Sequence, residues 1–355
     1  MTKNILISLM LGMAISGVAI YYAFRNVPFS DLITYLASVN YLWIFPAVLI
    51  VLISFMLRVL RWQVILSSSR KVSFWDAFHP LMIGFMINCI LPGRVGEVAR
   101  PVILRQRDTV PFSTGLATVV AERTFDLIIL VALFTGIFSW VQIDAGLSIS
   151  FGDHHLNKAT LDAILGGMLR LMLLLIIGIA GISFAASRRL INHCIMGGPT
   201  LLFFADDDTR TRLREKVCVP LVRVVENFAS GFALMRSPWK IAICMGFSAL
   251  VWSFQAFSYY MVSLGCPDIG LSYAEITAVM LLTCFFIMLP SVPGYWGLWE
   301  AGGIFALSIF GVLSKDAAGY TLLNHAVQVF PVILVGLVSA MMIGVNVWRI
   351  SYVAD

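Results

Sequence analysis

Several stretches of this chain stay apolar for about twenty residues, a pattern that a water-soluble fold rarely accommodates more than once. A helix rises about 1.5 Å per residue and the hydrocarbon core of a bilayer is about 30 Å thick, so such runs have the length of a membrane crossing. Full spans are read at about 4–24, 42–60, 114–140, 161–186, 239–264 and 322–346. Two shorter apolar segments, about 77–91 and 273–289, each lead into a Pro-Gly pair. Composition agrees: 60% of the 355 residues are hydrophobic and 12% charged, about half the charged share of a soluble domain.

The first span is too long for a secretory signal and no small-x-small cleavage site follows it, so it reads as a retained helix. Six scattered cysteines form no Cys-x-x-Cys pair, and neither a disulfide framework nor a thiolate metal site is expected. Asp153, His154 and His155 are adjacent in a polar loop, a poor geometry for a metal ion. No Gly-rich phosphate-binding pattern occurs, and no nucleic-acid partner is indicated.

Basic residues set orientation. They crowd at Arg58, Arg61, Arg70 and Lys71, at Arg94, Arg100, Arg105 and Arg107, and between Arg188 and Lys240, whereas 141–160 carries Asp144, Asp153 and a single Lys158. The basic regions are therefore expected in the cytoplasm, the 141–160 loop outside, and both termini inside. With cytoplasm on both sides of 77–91, that segment cannot cross alone and must dip in and return. The same arithmetic makes the 273–289 segment dip from the opposite face.

Two mirrored blocks follow, about 42–140 and about 239–346, joined by a cytoplasmic loop at about 187–238. Within that loop "VPLVRVVENFASGFALM" is amphipathic enough to lie on the membrane surface. The fold class expected is an all-α polytopic membrane protein in one transmembrane domain, with about six full spans plus two re-entrant or broken helical segments in an inverted repeat. "PGRVGE" (Pro92, Gly93, Arg94, Val95, Gly96, Glu97) and "PGYWGLWE" (Pro293 to Glu300) share the frame Pro-Gly-x-x-Gly followed by glutamate. Paired Pro/Gly-interrupted segments in two halves point to a transporter with its site where the repeats meet.

Non-helical backbone at membrane depth must be shielded from lipid, so such breaks line polar cavities. A helix beginning after Pro92-Gly93 offers free N–H groups to an anion, and Arg94 and Arg100 add full charges. Glu97 pairs with an arginine or takes up a proton. In "AERTFDLIIL", Glu122 lies about 12 Å into its span counted from Thr114. Each charge facing lipid there costs on the order of 3 kcal/mol, so Glu122, Arg123 and Asp126 must face protein or water. Glu122 and Asp126 share a face, with Arg123 turned about 100° away. They form either a packing salt-bridge cluster or the charged wall of a substrate path. Glu300 has no basic neighbour in sequence and is a functional candidate, or else neutral or paired with an arginine of the other repeat. Arg58 and Arg61, at the end of their span, read by position as snorkelling anchors.

Taken in order, Arg61-Trp62 with Ile65-Leu66, Asn88 followed by Pro92-Gly93-Arg94 and Gly96-Glu97, Glu122-Arg123 with Asp126, and Pro290, Pro293-Gly294, Gly297 and Glu300 resemble the lysylphosphatidylglycerol synthase transmembrane family. This is the flippase-like membrane region of the multiple peptide resistance factor. The resemblance implies lipid translocation across a prokaryotic cytoplasmic membrane. In fused members a soluble aminoacyltransferase follows the membrane part. Here the sequence stops at Asp355, and lysyl-lipid synthesis is not carried over. Tyr295 and Trp296 stand where the family usually has glycine and a small or aliphatic residue.

The function expected is movement of an anionic phospholipid or a polyprenyl-phosphate-linked lipid between leaflets. Arg94 and Arg100, joined by Arg61, would hold phosphate. Glu97, Glu122, Asp126 and Glu300 would gate or carry protons, Arg123 would pair with them, and Trp296 would narrow the cavity or stack on a headgroup. Asn88, Pro92, Gly93, Gly96, Pro293, Gly294 and Gly297 would shape the re-entrant loops. The alternatives are an intramembrane enzyme modifying a lipid headgroup and a scaffold for a separate synthase. The expected partners are the bilayer and a lipid substrate, with room for a lipid-modifying synthase and for a homodimer, and with no cofactor.

Overall fold

A computed structural model describes residues 3–25, 27–91, 94–108, 110–141, 148–151, 154–183, 185–201, 206–231, 237–289 and 292–345. Pro92, Gly93, Asp153 and Pro290 lie outside the described residues, as does Asp144, which was used above for orientation.

Helices α1 (Lys3–Phe24) and α2 (Phe29–Ser38) lead into α3 (Ile44–Leu66). Next come α4 (Phe74–Ile90), α5 (Gly96–Asp108) and α6 (Phe112–Trp140). The 141–160 loop holds the one β-sheet among the described residues, an antiparallel hairpin of β1 (Ser148–Phe151) and β2 (His154–Asn157). It is followed by α7 (Lys158–Ser183), α8 (Ala185–Gly197), α9 (Asp207–Leu213) and α10 (Val219–Gly231). The last block comprises α11 (Pro238–Gly265), α12 (Tyr273–Phe286), α13 (Leu298–Ser308) and α14 (Ser314–Ile343).

Three helices among the described residues, Tyr41–Leu66, Pro238–Gly265 and Ser314–Ile343, are long and apolar enough to cross a membrane. Helices α1, α6 and α7 occupy the other three expected spans and run for 22, 29 and 26 residues. The two short apolar segments are α4 and α12, and each is followed by a break and a second short helix.

Both broken pairs begin with the same device. Ser73 caps α4 by accepting from the Asp76 amide, and Ser272 caps α12 in a reciprocal box with Glu275. Helices α4 and α5 form an antiparallel hairpin. At its tip Asn88 Oδ1 accepts from the Gly96 amide at 2.8 Å, and at its base Arg107 lies 3.7 Å from Asp76. The 13 residues of α5 measure about 20 Å, too short to cross. A side chain at Gly96 would collide with the Gly84 carbonyl at 1.8 Å, so the helices touch backbone to backbone, as membrane helices do through small residues.

Across the molecule α3 packs on α11, α4 on α14, and α6 on α12. Helix α10 takes up the amphipathic stretch as far as Gly231 and packs against α6, α7 and α8 rather than standing alone. Glu226 holds it to α8 through Asn192 at 2.6 Å and Arg188 at 3.3 Å.

Candidate functional site

The charged residues of α3, α5 and α6 meet in one buried cluster. Arg61 is wholly buried. It grips both oxygens of Asp126 in a fork, reaches Glu122 at 3.5 Å and donates to the Ser248 hydroxyl on α11. Glu122, one turn before Asp126, also meets Arg100 of α5 at 2.8 Å. Asp126 accepts in addition from the Trp252 indole of α11 at 3.2 Å and faces Arg123 at 3.5 Å. The shared face of Glu122 and Asp126 is thus turned inward, while Arg123 is partly exposed.

Arg58 and Arg61 are not snorkelling anchors. Their distance from the end of α3 suggested it, but α6 and α11 cover that end of the helix and enclose both guanidiniums. Arg58 has no carboxylate within ion-pair distance among the described residues. It lies instead among the rings of Phe55, Phe85 and Trp252, at 5.5, 5.6 and 5.7 Å. Arg100 stacks on Trp62 at 4.2 Å and shares Phe85 with Arg58. Aromatic faces stabilise a cation without neutralising it. The Trp62 indole is fixed by the Thr118 hydroxyl at 2.8 Å.

The cluster is electropositive. Four guanidiniums, those of Arg58, Arg61, Arg100 and Arg123, meet two ion-paired carboxylates. Glu97, within electrostatic reach of Arg100 and Arg123, leaves the sum positive. Several N–H groups are buried without an acceptor: Nε and Nη2 of Arg100, and Nε of Arg58 and Arg61. Buried donors are ordinarily satisfied, so these invite a ligand with several oxygens. Beside the cluster is an apolar crevice between α3, α6 and α11, lined in part by Ile65, Ala121 and Phe125. Lys240, at its rim, bonds to Ser67 and Ser68.

Arg94 is not in this cluster. It is exposed, stands in the left-handed region at φ 54°, and donates to the Ile287 carbonyl at 3.2 Å, tying the first break to the end of α12.

The second break forms a separate buried site. Pro293–Tyr295 is a single 3-10 turn, with Gly294 at φ 72°, Tyr295 at φ 63° and Gly297 at φ 88°. A side chain on Gly297 would meet the Ser16 carbonyl of α1 at 2.5 Å. Glu300 folds back so that Oε2 accepts from the Gly297 amide at 2.7 Å. Its other oxygen lies 2.6 Å from His325 Nδ1 on α14. The partner of Glu300 is therefore a histidine, not an arginine of the other block. Trp299 stacks flat on the imidazole at 4.5 Å and Trp296 lies 4.4 Å from it. His325, Arg58, Trp252 and Ser248 are the members of these sites that the sequence reading missed.

The sequence profile of the lysylphosphatidylglycerol synthase TM region matches residues 9–336. The chain is similar to the glycosyltransferase AglD of Haloferax volcanii, at 22% identity over 340 residues. The match takes in 89% of the chain and 51% of that protein, so the chain spans about half the length of this relative. It is also similar to a UPF0104 membrane protein of Methanocaldococcus jannaschii, at 22% identity over 266 residues, 74% of the chain and 96% of that protein.

Proposed function

The chain belongs to the lysylphosphatidylglycerol synthase transmembrane family, and from that premise we propose that it is a flippase-like transporter of an anionic lipid. The substrate is a phospholipid or a polyprenyl-phosphate-linked lipid of the cytoplasmic membrane. Its phosphate is held by Arg58 and Arg100, with Arg61 fixed between Glu122 and Asp126 as the frame. The observation that carries this reading is the set of buried, unpartnered N–H groups on guanidiniums whose charge the carboxylates do not cancel. Packing of α3 on α11, α4 on α14 and α6 on α12 is the pattern that an axis exchanging two inverted blocks would produce, and it supports a site where the blocks meet.

Native mass spectrometry of lipids retained by the purified protein tests the reading. Wild type should hold an anionic phospholipid, and Arg58→Gln should lose it by roughly tenfold, the worth of one buried charge-assisted hydrogen bond. Arg58 has no carboxylate to strand, so this change leaves the ion-pair frame intact. Equal, unselective lipid on both proteins would sink the proposal.

The match to a glycosyltransferase favours a second reading, in which the chain serves an enzyme acting on lipid-linked sugars. Protein reconstituted alone separates the two: movement of labelled lipid supports the transporter, and its absence the accessory role.

A further inference from the structure

From the proton count at the second break, we infer that Glu300 and His325 together bind one exchangeable proton and that this proton latches the Pro293–Gly297 turn onto α14.

Both nitrogens of the His325 ring face oxygen acceptors: Nδ1 lies 2.6 Å from Glu300 Oε1 and Nε2 lies 2.8 Å from the Gly294 carbonyl. A neutral imidazole has a single N–H, and an ionised carboxylate has none. Two such contacts therefore need one proton more than the neutral histidine and the carboxylate carry between them. Whether it sits on the ring or on Oε1, it belongs to the pair. When it leaves, a nitrogen lone pair faces an oxygen lone pair inside hydrogen-bond distance, and one contact must open.

Either opening acts on the same turn. Release of Nε2 frees the Gly294 carbonyl directly. Release of Nδ1 loosens Glu300, whose other oxygen holds the Gly297 amide. Between the two glycines Tyr295 stands at positive φ, and a non-glycine residue in that region persists only where its surroundings over-determine it. The pair is sealed from solvent, each residue being at most 1% exposed, and among the described residues each is the other's only ion-pair partner.

The elements packed around the pair contribute Tyr295 of the turn, Tyr259 of α11, which stacks on Trp299, Tyr320 of α14, Cys284 of α12 beside Tyr259, and Cys89 of α4, whose carbonyl lies against Gly294. Phenols and thiols ordinarily keep their protons below about pH 8. Tyr295 of the turn is within electrostatic reach of Arg94, Glu97 and Arg123, so the proton on the latch can bias lipid movement at the arginine cluster. That last step rests on the transport reading; the proton site itself does not.

The full-length protein in phosphatidylcholine and phosphatidylglycerol vesicles tests both. Movement of fluorescent phosphatidylglycerol is followed by dithionite quenching from about pH 5 to about pH 8, the range in which imidazole groups change charge. The carboxyl stretch is followed by infrared difference spectroscopy over the same range. For the wild type the rate should vary several-fold with pH, accompanied by a carboxyl or imidazole band. Glu300→Gln and His325→Gln should remove the band and flatten the rate profile while lipid retention at the arginine cluster stays unchanged. His325→Gln keeps a donor for the Gly294 carbonyl, so it guards against a folding artefact in the other variant. A pH profile and band that survive in both variants overturn the latch. A Glu300-dependent band in a wild type that moves no lipid supports the proton site and overturns the transport reading instead.

Discussion

The two breaks share a backbone and differ in electrostatics. In each, the residue after Pro-Gly adopts a left-handed conformation: Arg94 at φ 54° in the first and Tyr295 at φ 63° in the second. In each, the amide of the later glycine is accepted by a side chain, Asn88 for Gly96 and Glu300 for Gly297. The acceptors of that cap come from opposite directions, and this decides what is left over. At the first break the preceding helix supplies a neutral amide, and the arginine one turn into α5 remains to meet Glu122. At the second the carboxylate is drawn into the cap and held by His325. On the two proposals above, one repeated motif serves as an anion seat in one half and as a proton latch in the other.

The largest expected effect breaks the first half. Glu122→Ala strands Arg100 in the interior and leaves Arg61 with Asp126 alone. It should destabilise the protein by about 3–5 kcal/mol, the cost of unpairing a buried ion pair. Thermal unfolding in detergent, monitored by size-exclusion of heated samples, measures it. A loss near zero would mean that water reaches the cluster and that its arginines are not buried in the membrane-embedded protein.

The caps sharpen the contrast. Asn88→Ala removes one neutral acceptor and should cost about 1 kcal/mol, as ordinary cap deletions do. Glu300→Ala removes the cap and the histidine's partner together, and should cost about 2–3 kcal/mol. Equal losses at the two positions would show that the His325 contact adds nothing and that the two breaks are energetically alike.

The helices and both breaks were legible in the sequence because hydrophobic run length and Pro-Gly punctuation are local signals. The inward face of Glu122 and Asp126 was legible too, since two acids four apart in an apolar span leave no other arrangement. Arg58 and Arg61 were misread because snorkelling is judged from the end of one's own helix, whereas their burial is imposed by α6 and α11. His325 lay 25 residues from Glu300 with no pattern joining them. The usable clue was that Glu300 needs a partner and that His325 is the one basic side chain between Lys315 and Arg349.

The smallest effect tests whether the likeness of the two turns is real. A non-glycine residue in the left-handed region costs roughly 1 kcal/mol, which glycine escapes. Simple replacement would mix this with lost packing, since Tyr295 is half-buried and Arg94 holds the Ile287 carbonyl. Comparing glycine with alanine at each site cancels the lost side chain. Tyr295→Gly should therefore be more stable than Tyr295→Ala by about 1 kcal/mol, and Arg94→Gly more stable than Arg94→Ala by the same amount. Tyr295 therefore holds its φ of 63° against a conformational penalty that glycine would escape. A glycine advantage at both positions makes the turns one structural device used twice. An advantage at Tyr295 alone would confine the strain to the second break, beside the latch, and leave Arg94 free to change conformation.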